Sequence, residues 1–193
     1  MIRVACVGDS ITWRFTLLNP RTQNYPALLQ DRLGGEYEVR NFGYNDASAR
    51  FDGDTPYVSK RVFRESLGWN PDIVLLMLGT SDTKKRNWDP DIFRRDYKRI
   101  IDSYQNLPSS PRVILIASFR IIPVLGIPIL GVYPNTIEEG VRPAIREIAS
   151  ELGLELVNLQ NLFMDSRYCS DGVHPQKTGV RMVTDTIYSS ILW

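Results

Sequence analysis

The chain has 193 residues, of which 43% are hydrophobic and 23% are charged, values typical of one soluble globular domain with a sizeable core. Twenty-three basic residues stand against 22 acidic ones, which gives a formal net charge of +1 at pH 7. This balance argues against nucleic acid or an anionic membrane surface as the main partner.

The cysteines and the apolar segments set further limits. Cys6 lies in an apolar run and Cys169 in a distant polar loop, which favours two free thiols in a reducing compartment over a disulfide. The longest apolar stretch, 121–132, is interrupted by prolines and glycines and is shorter than the roughly 20 residues that span a bilayer, so no membrane span is predicted. No signal peptide is recognisable, and the expected location is the cytoplasm, or the outside of the cell if such a peptide has been removed.

Apolar runs alternate with helical patterns along the chain. Short β-branched runs bounded by turn residues predict strands buried on both faces, at 2–7, 37–41, 73–78, 113–118 and 156–158. Apolar spacing with start and stop residues predicts helices, at 26–33, 57–67, 90–104, 136–152 and 177–192. The expected fold class is α/β: a three-layer sandwich in which a flavodoxin-like five-stranded parallel sheet carries helices on both faces, as a single domain over 1–193.

A Gly-Asp-Ser turn follows the first predicted strand. Gly8 permits a sharp turn that would present Ser10 at the carboxyl edge of the sheet, where ligands bind in such folds. On these residues alone, an ordinary turn in which Asp9 or Ser10 caps a helix is the slightly better interpretation.

His174, the only histidine of the chain, lies just before the last predicted helix. Asp171 precedes it by three residues across a glycine turn. Its carboxylate can therefore hydrogen-bond one imidazole nitrogen and leave the other basic, as the activation of a serine requires. The alternative is a loop histidine paired with backbone or water.

A third polar cluster, 78–84, ends the third predicted strand, and its small polar groups suit either ligand contact or a solvated turn. The parallel fold would bring all three clusters to one edge of the sheet, in the chain order serine, aspartate, histidine. The sequence has no Gly-x-Ser-x-Gly elbow around its serine, which argues against the α/β-hydrolase class.

Together these motifs resemble the SGNH or GDSL-type serine hydrolases over nearly the whole chain. The similarity lies in the four blocks Gly8-Asp9-Ser10, Asn41-Phe42-Gly43, 78–82 and 171–175. Within that family the chain is most similar to bacterial sialate O-acetylesterase-like and carbohydrate-esterase members, through 70–74 and Asn87-Trp88.

The resemblance implies a catalytic triad. Ser10 would be the nucleophile, His174 the general base and later the general acid, and Asp171 the residue that orients the imidazole. The implied chemistry is acyl transfer to serine followed by hydrolysis, with no metal and no cofactor. Activity would rise with pH as the histidine loses its proton. The rise is expected at or above about pH 6.5, the ordinary pKa of an imidazole.

The resemblance also implies an oxyanion hole, in which this chain departs from the family pattern. The Ser10 amide would donate to the oxyanion as expected. Asp46 stands where the family has a glycine, so the amide is kept but a carboxylate is added. Ser81 stands where the family has an asparagine, and losing such a donor typically costs on the order of 3 kcal/mol of transition-state stabilisation.

Residues near the blocks are candidates for the substrate pocket. They are Asp9, Trp13, Arg14, Tyr44, Asn45, Thr80, Asp82 and Val173; Arg14 is open to a second interpretation as a solvated charge. The apolar segment 119–133 would lie over the rim of the site, either as an acyl pocket or partner-binding patch or as additional core.

The leading hypothesis is an esterase that hydrolyses small acyl esters, with O-acetylated sugars among the candidate substrates. Its rivals are a non-catalytic binding module with an impaired oxyanion hole and an acyltransferase in which an alcohol outcompetes water. The sequence leaves the oligomeric state open.

Overall fold

A five-stranded parallel sheet organises the protein, as the sequence predicts. The computed structural model describes residues 1–13, 20–122, 129–163, 165–169 and 171–192. The strands are β1 (Ile2–Gly8), β2 (Tyr37–Gly43), β3 (Ile73–Met77), β4 (Arg112–Ala117) and β5 (Glu155–Asn158). Their order is β2-β1-β3-β4-β5 with every neighbouring pair parallel, which is the flavodoxin-like order.

Helices cover both faces of this sheet, which confirms the three-layer α/β sandwich. They are α1 (Ser10–Trp13), α2 (Pro20–Gln23), α3 (Tyr25–Leu33), α4 (Arg61–Gly68), α5 (Pro90–Gln105), α6 (Pro134–Thr136), α7 (Arg142–Leu152) and α8 (Lys177–Ile191). Helix α3 shows why the predicted bounds are close. Asn24 Oδ1 accepts the Ala27 amide at 2.8 Å, and Pro26 occupies the first turn, where its missing N–H costs nothing.

Alternate strand residues contribute to two separate cores, one on each face. One core joins the sheet to α3 and α8 through Val4, Cys6, Leu75, Ile114, Leu29 and Ile187. The other joins it to α4, α5 and α7 through Ala5, Val7, Leu76, Leu115, Phe63, Tyr97 and Ile145. Burial on both faces explains why β1, β3 and β4 are continuous apolar runs. The same prediction is wrong for β2 and β5, which lie at the edges of the sheet and keep exposed polar residues such as Arg40 and Glu155.

The predicted helix 136–152 differs most from the structure. It starts earlier, at the α6 turn, and Ile137–Val141 form a π turn before α7 begins. Thr136 and Glu139 have the sequence spacing of a capping box. No such box forms, because Thr136 already has helical φ and ψ and its side chain caps no amide. A β-carbon at Gly140 would lie 2.3 Å from the Trp88 ring, so this turn packs directly on the indole.

The predicted helix 57–67 is divided in two. Tyr57–Ser59 form a 3-10 turn, and α4 follows only after Lys60, whose extended backbone (φ −83°, ψ 150°) interrupts the helical path.

The apolar segment 119–133 divides between core and surface. Phe119, Ile121 and Val132 are buried in the core that α8 covers, as the core interpretation expects, whereas Leu130 is 55% exposed. Residues 123–128 lie outside the described part of the chain. Among the helices that the structure describes, none combines the length and the apolar character needed to cross a membrane.

Candidate active site

The turn between β1 and α1 presents Ser10. The Asp9 carbonyl accepts the Trp13 amide at 2.8 Å, and Asp9 Oδ1 accepts the Ile11 amide at 3.0 Å. Asp9 therefore caps α1, as the capping interpretation expects, and Ser10 is the first helical residue. At that position the Ser10 amide has no acceptor within the helix.

Gly8 allows this turn to lie against the neighbouring strand. A β-carbon at Gly8 would lie 2.1 Å from Thr12 Oγ1 and 2.6 Å from the carbonyl oxygen of Met77 on β3. The Gly8 carbonyl accepts the Tyr44 amide at 3.0 Å, so the loop after β2 is fixed to the strand that ends at the serine.

Asn41 joins the end of β2 to α1. Its Nδ2 donates to the Thr12 carbonyl at 2.8 Å, and its Oδ1 accepts the Gly43 amide at 2.8 Å. A β-carbon at Gly43 would lie 2.3 Å from the Trp13 backbone nitrogen. The first two sequence blocks are therefore in direct backbone contact.

Ser10, His174 and Asp171 form a continuous hydrogen-bonded chain. Ser10 Oγ lies 2.8 Å from His174 Nε2, and His174 Nδ1 lies 2.7 Å from Asp171 Oδ2. The two partners are 164 residues apart in sequence, and both Ser10 and His174 are buried. A serine, a base and an orienting carboxylate in this geometry can generate a nucleophilic alkoxide.

The Asp171 carboxylate is held in its charged form. Its Oδ1 accepts the amides of Val173 at 2.9 Å and His174 at 2.7 Å. Burial alone would raise the pKa of Asp171, but hydrogen bonds from the His174 ring, the His174 amide and the Val173 amide outweigh it and lower the pKa to about 2. A charged carboxylate can only accept, so it requires the proton on Nδ1 of His174 and leaves Nε2 to accept from Ser10.

Asp46 occupies a backbone conformation that favours glycine. The Ala47 amide donates to the Tyr44 carbonyl at 3.2 Å, closing a turn in which Asp46 is the third residue with a φ of 62°. Positive φ at this position of a turn is usual for glycine, and Asp and Asn tolerate it better than other side chains do. The conformation explains how an aspartate replaces the glycine expected there.

Three side chains meet beside this turn. Lys84 Nζ donates to Asp46 Oδ1 at 2.5 Å, and the Ser81 hydroxyl donates to the same oxygen at 3.3 Å. Ser81 opens a 3-10 turn, Ser81–Thr83, and Lys84 follows it directly. The two departures from the family pattern are thus in contact with each other, and a lysine joins them.

A cleft of about 220 Å³ borders the serine and the histidine. It is lined by Ser10, Asn45, Asp46, Lys84, Leu130 and His174. Leu130 has a φ of 56°, which is unfavourable for a bulky residue. Lys84 ends the polar cluster 78–84 and Leu130 belongs to the apolar segment 119–133, which were predicted near the site as segments, but neither residue was singled out. The carboxylate of Asp46 was the one sequence feature that could have indicated a cation such as Lys84 nearby.

Asp82, which is buried next to the site, connects two of its loops. Its carboxylate accepts the amides of Ala49 and Arg50, each at 2.9 Å, and so ties the loop after β2 to the end of β3. Burial raises the pKa of Asp82 to about 7 and the pKa of Asp9 to about 6. Backbone hydrogen bonds to the two carboxylates lower both pKa values, but less than burial raises them.

Both ends of the apolar segment are anchored to loops of the site. The Ile122 amide donates to the Gly172 carbonyl at 3.1 Å, next to the loop that carries the histidine. The Tyr133 amide donates to Thr83 Oγ1 at 3.1 Å. Leu130, three residues before Tyr133, lines the cleft.

Comparison with known sequences agrees with this arrangement. Residues 6–182 match the family described as GDSL-like Lipase/Acylhydrolase. The chain belongs to this family. Membership confirms the resemblance to the GDSL-type hydrolases.

One curated sequence and several solved structures are similar to this chain. The chain is 30% identical to an acetylxylan esterase of Xylanibacter ruminicola over 98% of its own length, and it spans 43% of the length of that relative. Among solved structures, a carbohydrate acetylesterase from Sinorhizobium meliloti superimposes with a TM-score of 0.82 at 19% identity, covering 100% of this chain and 99% of that one. The inhibitor-bound aryl esterase of M. smegmatis gives 0.81 at 17% identity, with the same coverage. At these identities the structural likeness shows the fold of the family.

Of the predicted pocket residues, one lines the cleft, four are buried beside it, and the others lie elsewhere. Asn45 lines the cleft. Asp9, Thr80, Asp82 and Val173 are at most 3% exposed, so they support the cleft and do not line it.

The remaining predicted pocket residues lie elsewhere. Trp13 is 47% exposed and borders a different groove with Phe42 and Val62. Tyr44 is half-exposed, with Lys60 Nζ 5.1 Å from its ring centroid. Arg14 lies outside the described residues. Within the described part of the chain, no group of three or more His, Cys, Asp or Glu side chains is placed to hold a metal ion.

Proposed function

We propose that this chain is a serine esterase that hydrolyses small acyl esters, above all O-acetyl esters, through an acyl-enzyme on Ser10. The observation that carries the proposal is the 2.8 Å contact between Ser10 Oγ and His174 Nε2, with Asp171 2.7 Å behind the imidazole. Membership of the GDSL family supports the same reaction class.

Acylation begins with proton transfer. His174 Nε2 takes the proton of Ser10 while Oγ attacks the ester carbonyl carbon. Asp171 stabilises the imidazolium that forms. The negative charge that develops on the carbonyl oxygen would be met by the amides of Ser10 and Asp46. The imidazolium then protonates the leaving alcohol as the tetrahedral intermediate collapses to the acyl-enzyme.

Deacylation repeats these steps with water as the nucleophile. His174 takes a proton from the water, the second tetrahedral intermediate forms, and Ser10 leaves with a proton from the imidazolium. The acid product and the free serine are released.

A small acyl group and a sugar alcohol fit the site and its relatives. The cleft of about 220 Å³ is small for a ligand site, and Leu130 narrows its rim. A sequence relative is described as an acetylxylan esterase and a structural one as a carbohydrate acetylesterase. O-acetylated sugars are therefore the substrates to test first.

The test compares hydrolysis of 4-nitrophenyl acetate and acetylated xylan by the wild type and Ser10→Ala. We expect turnover that vanishes in the variant. Ser118→Ala is the matched control, because it also removes a buried hydroxyl, one without a hydrogen-bond partner in the described structure, and should keep full activity. Equal turnover with and without the Ser10 hydroxyl would contradict the proposal. Added alcohol that is converted to a new ester would identify an acyltransferase.

A binding module without catalysis is the second candidate. It is favoured by the Ser81 hydroxyl, whose single hydrogen is directed to Asp46 and so away from an oxyanion. A wild type that binds acetylated xylan without hydrolysing it, and that gains turnover on Asp46→Gly with Ser81→Asn, would support this candidate.

A further inference from the structure

The negative charge of Asp46 poses an electrostatic problem for the proposed reaction. Asp46 lines the same cleft as Ser10 and His174. The reaction places a second negative charge in this cleft at each tetrahedral intermediate. Like charges a few ångströms apart repel strongly where water is partly excluded. An uncompensated carboxylate here would oppose both halves of the reaction.

Lys84 is placed to remove this repulsion. Its ammonium lies 2.5 Å from Asp46 Oδ1, and its side chain is only 19% exposed although Asp46 is 44% exposed. It lines the cleft together with Asp46 and Ser10. The Ser81 hydroxyl donates to the same Oδ1 atom, so this oxygen accepts hydrogen bonds from two side chains.

We propose that Lys84 is a positioning residue of the esterase reaction, which acts through Asp46 by neutralising its carboxylate and holding it against Ser81. This inference rests on the proposed function. Asp46, Ser81 and Lys84 then form one compensated unit: the aspartate supplies its backbone amide in the left-handed conformation, and the lysine cancels the charge that comes with it. The aspartate in the place of the glycine is tolerated because the lysine is present.

If Lys84 neutralises Asp46, removing the lysine should change kcat and KM differently. The ester in its ground state is neutral, and only the transition state carries the new charge. An uncompensated Asp46 should therefore lower kcat and leave KM of a neutral ester nearly unchanged. Folding should be affected little, since ion pairs of partly exposed side chains contribute little to stability.

The experiment is a double-mutant cycle on the full chain with 4-nitrophenyl acetate. Lys84→Met should lower kcat roughly tenfold to hundredfold. Asp46→Asn, which removes the charge and keeps a side chain suited to positive φ, should raise kcat, because the Lys84 ammonium is then no longer neutralised by the carboxylate. Combining the two substitutions should restore most of the activity that Lys84→Met loses, because no charge is left to compensate.

Two further variants separate charge from folding. Lys84→Arg keeps the cation and should retain most of kcat. Lys85→Met is the matched control: it removes the same charge one residue away, where the exposed ammonium lies 5.9 Å from the Tyr133 ring centroid, and should leave kcat unchanged. Thermal unfolding of each variant verifies that it is folded.

Each outcome decides the inference. A loss in Lys84→Met that Asp46→Asn recovers supports it. A kcat of Lys84→Met equal to the wild type, or a loss that persists in the double variant, overturns it and leaves the proposed function standing. A wild type without Ser10-dependent turnover overturns the proposed function, and this inference with it.

Discussion

Both carboxylate oxygens of Asp171 accept hydrogen bonds from His174, one from the ring and one from the backbone. The distances are 2.7 Å to Nδ1 and 2.7 Å to the amide. One residue thus fixes the position, the rotation and the tautomer of the imidazole. The short Asp-Gly-Val-His turn is sufficient for this, because all its partners lie within three residues of the carboxylate.

Replacing Asp171 by Asn should nearly abolish turnover. An asparagine that keeps Oδ1 on the two amides presents its NH₂ to Nδ1. The imidazole must then carry its proton on Nε2, where it cannot accept from Ser10. We expect kcat to fall by about 10³–10⁴, measured with 4-nitrophenyl acetate. A fall of less than tenfold, in a variant that remains folded by circular dichroism, would contradict the proposed orienting role.

Replacing Gly43 by Ala should damage stability and activity together. The new β-carbon would meet the Trp13 nitrogen at 2.3 Å and the Thr12 carbonyl carbon at 2.8 Å. Relief requires α1 to move away from β2, at a cost of about 1–3 kcal/mol in the free energy of unfolding. Such a shift would also move Ser10 from His174. Gly68→Ala is the control, since its β-carbon would meet nothing within 4 Å, and urea unfolding should distinguish the two variants.

Replacing Asp9 by Asn should reduce the loss in free energy of unfolding that the wild type shows between pH 4 and pH 8. The folded-state pKa of Asp9, about 6, lies above its ordinary value of 3.8. The stability that depends on the neutral form is therefore complete below about pH 4 and is lost as the pH rises through 6. Asn keeps an oxygen for the Ile11 amide and does not ionise.

The measurement is urea unfolding of both proteins from pH 4 to pH 8. The difference between wild type and variant should change with pH in favour of Asn, and the wild type should still lose stability near pH 7 through Asp82. A difference that stays constant with pH would show that Asp9 has the same pKa in the folded and the unfolded protein, and would contradict the prediction.

Shortening Leu130 should change the acyl preference. Leu130 lines the cleft and is 55% exposed, so Leu130→Ala should raise hydrolysis of 4-nitrophenyl butyrate relative to acetate. Leu130→Gly should do the same and also relieve the left-handed conformation, which costs about 1–2 kcal/mol for a non-glycine residue. Leu192→Ala removes an equally exposed leucine, 54%, at the end of α8, and should not change the ratio. An unchanged ratio in both Leu130 variants would mean that the leucine does not bound the acyl site.

The fold and the serine–histidine–aspartate chain could be predicted from the sequence because local patterns encode them. Strands buried on both faces are continuous apolar runs, and helix starts are marked by residues such as Asn24 and Asp89, whose side chains accept the first amides. Asp171 and His174 are three residues apart, so their pairing is almost a local property. Ser10 joins them because parallel strands end at one edge of the sheet.

Only the tertiary structure decided what the departures at Asp46 and Ser81 do. Whether the Asp46 carboxylate opposes an oxyanion or binds a cation depends on a backbone φ of 62° and on a lysine 38 residues away. The same holds for Leu130, which lines the cleft three residues before the hydrogen bond that holds Tyr133 to Thr83. The sequence by itself determined the fold and the candidate nucleophile, whereas loop conformation, which short-range patterns do not encode, determined the charge and the walls of the cleft.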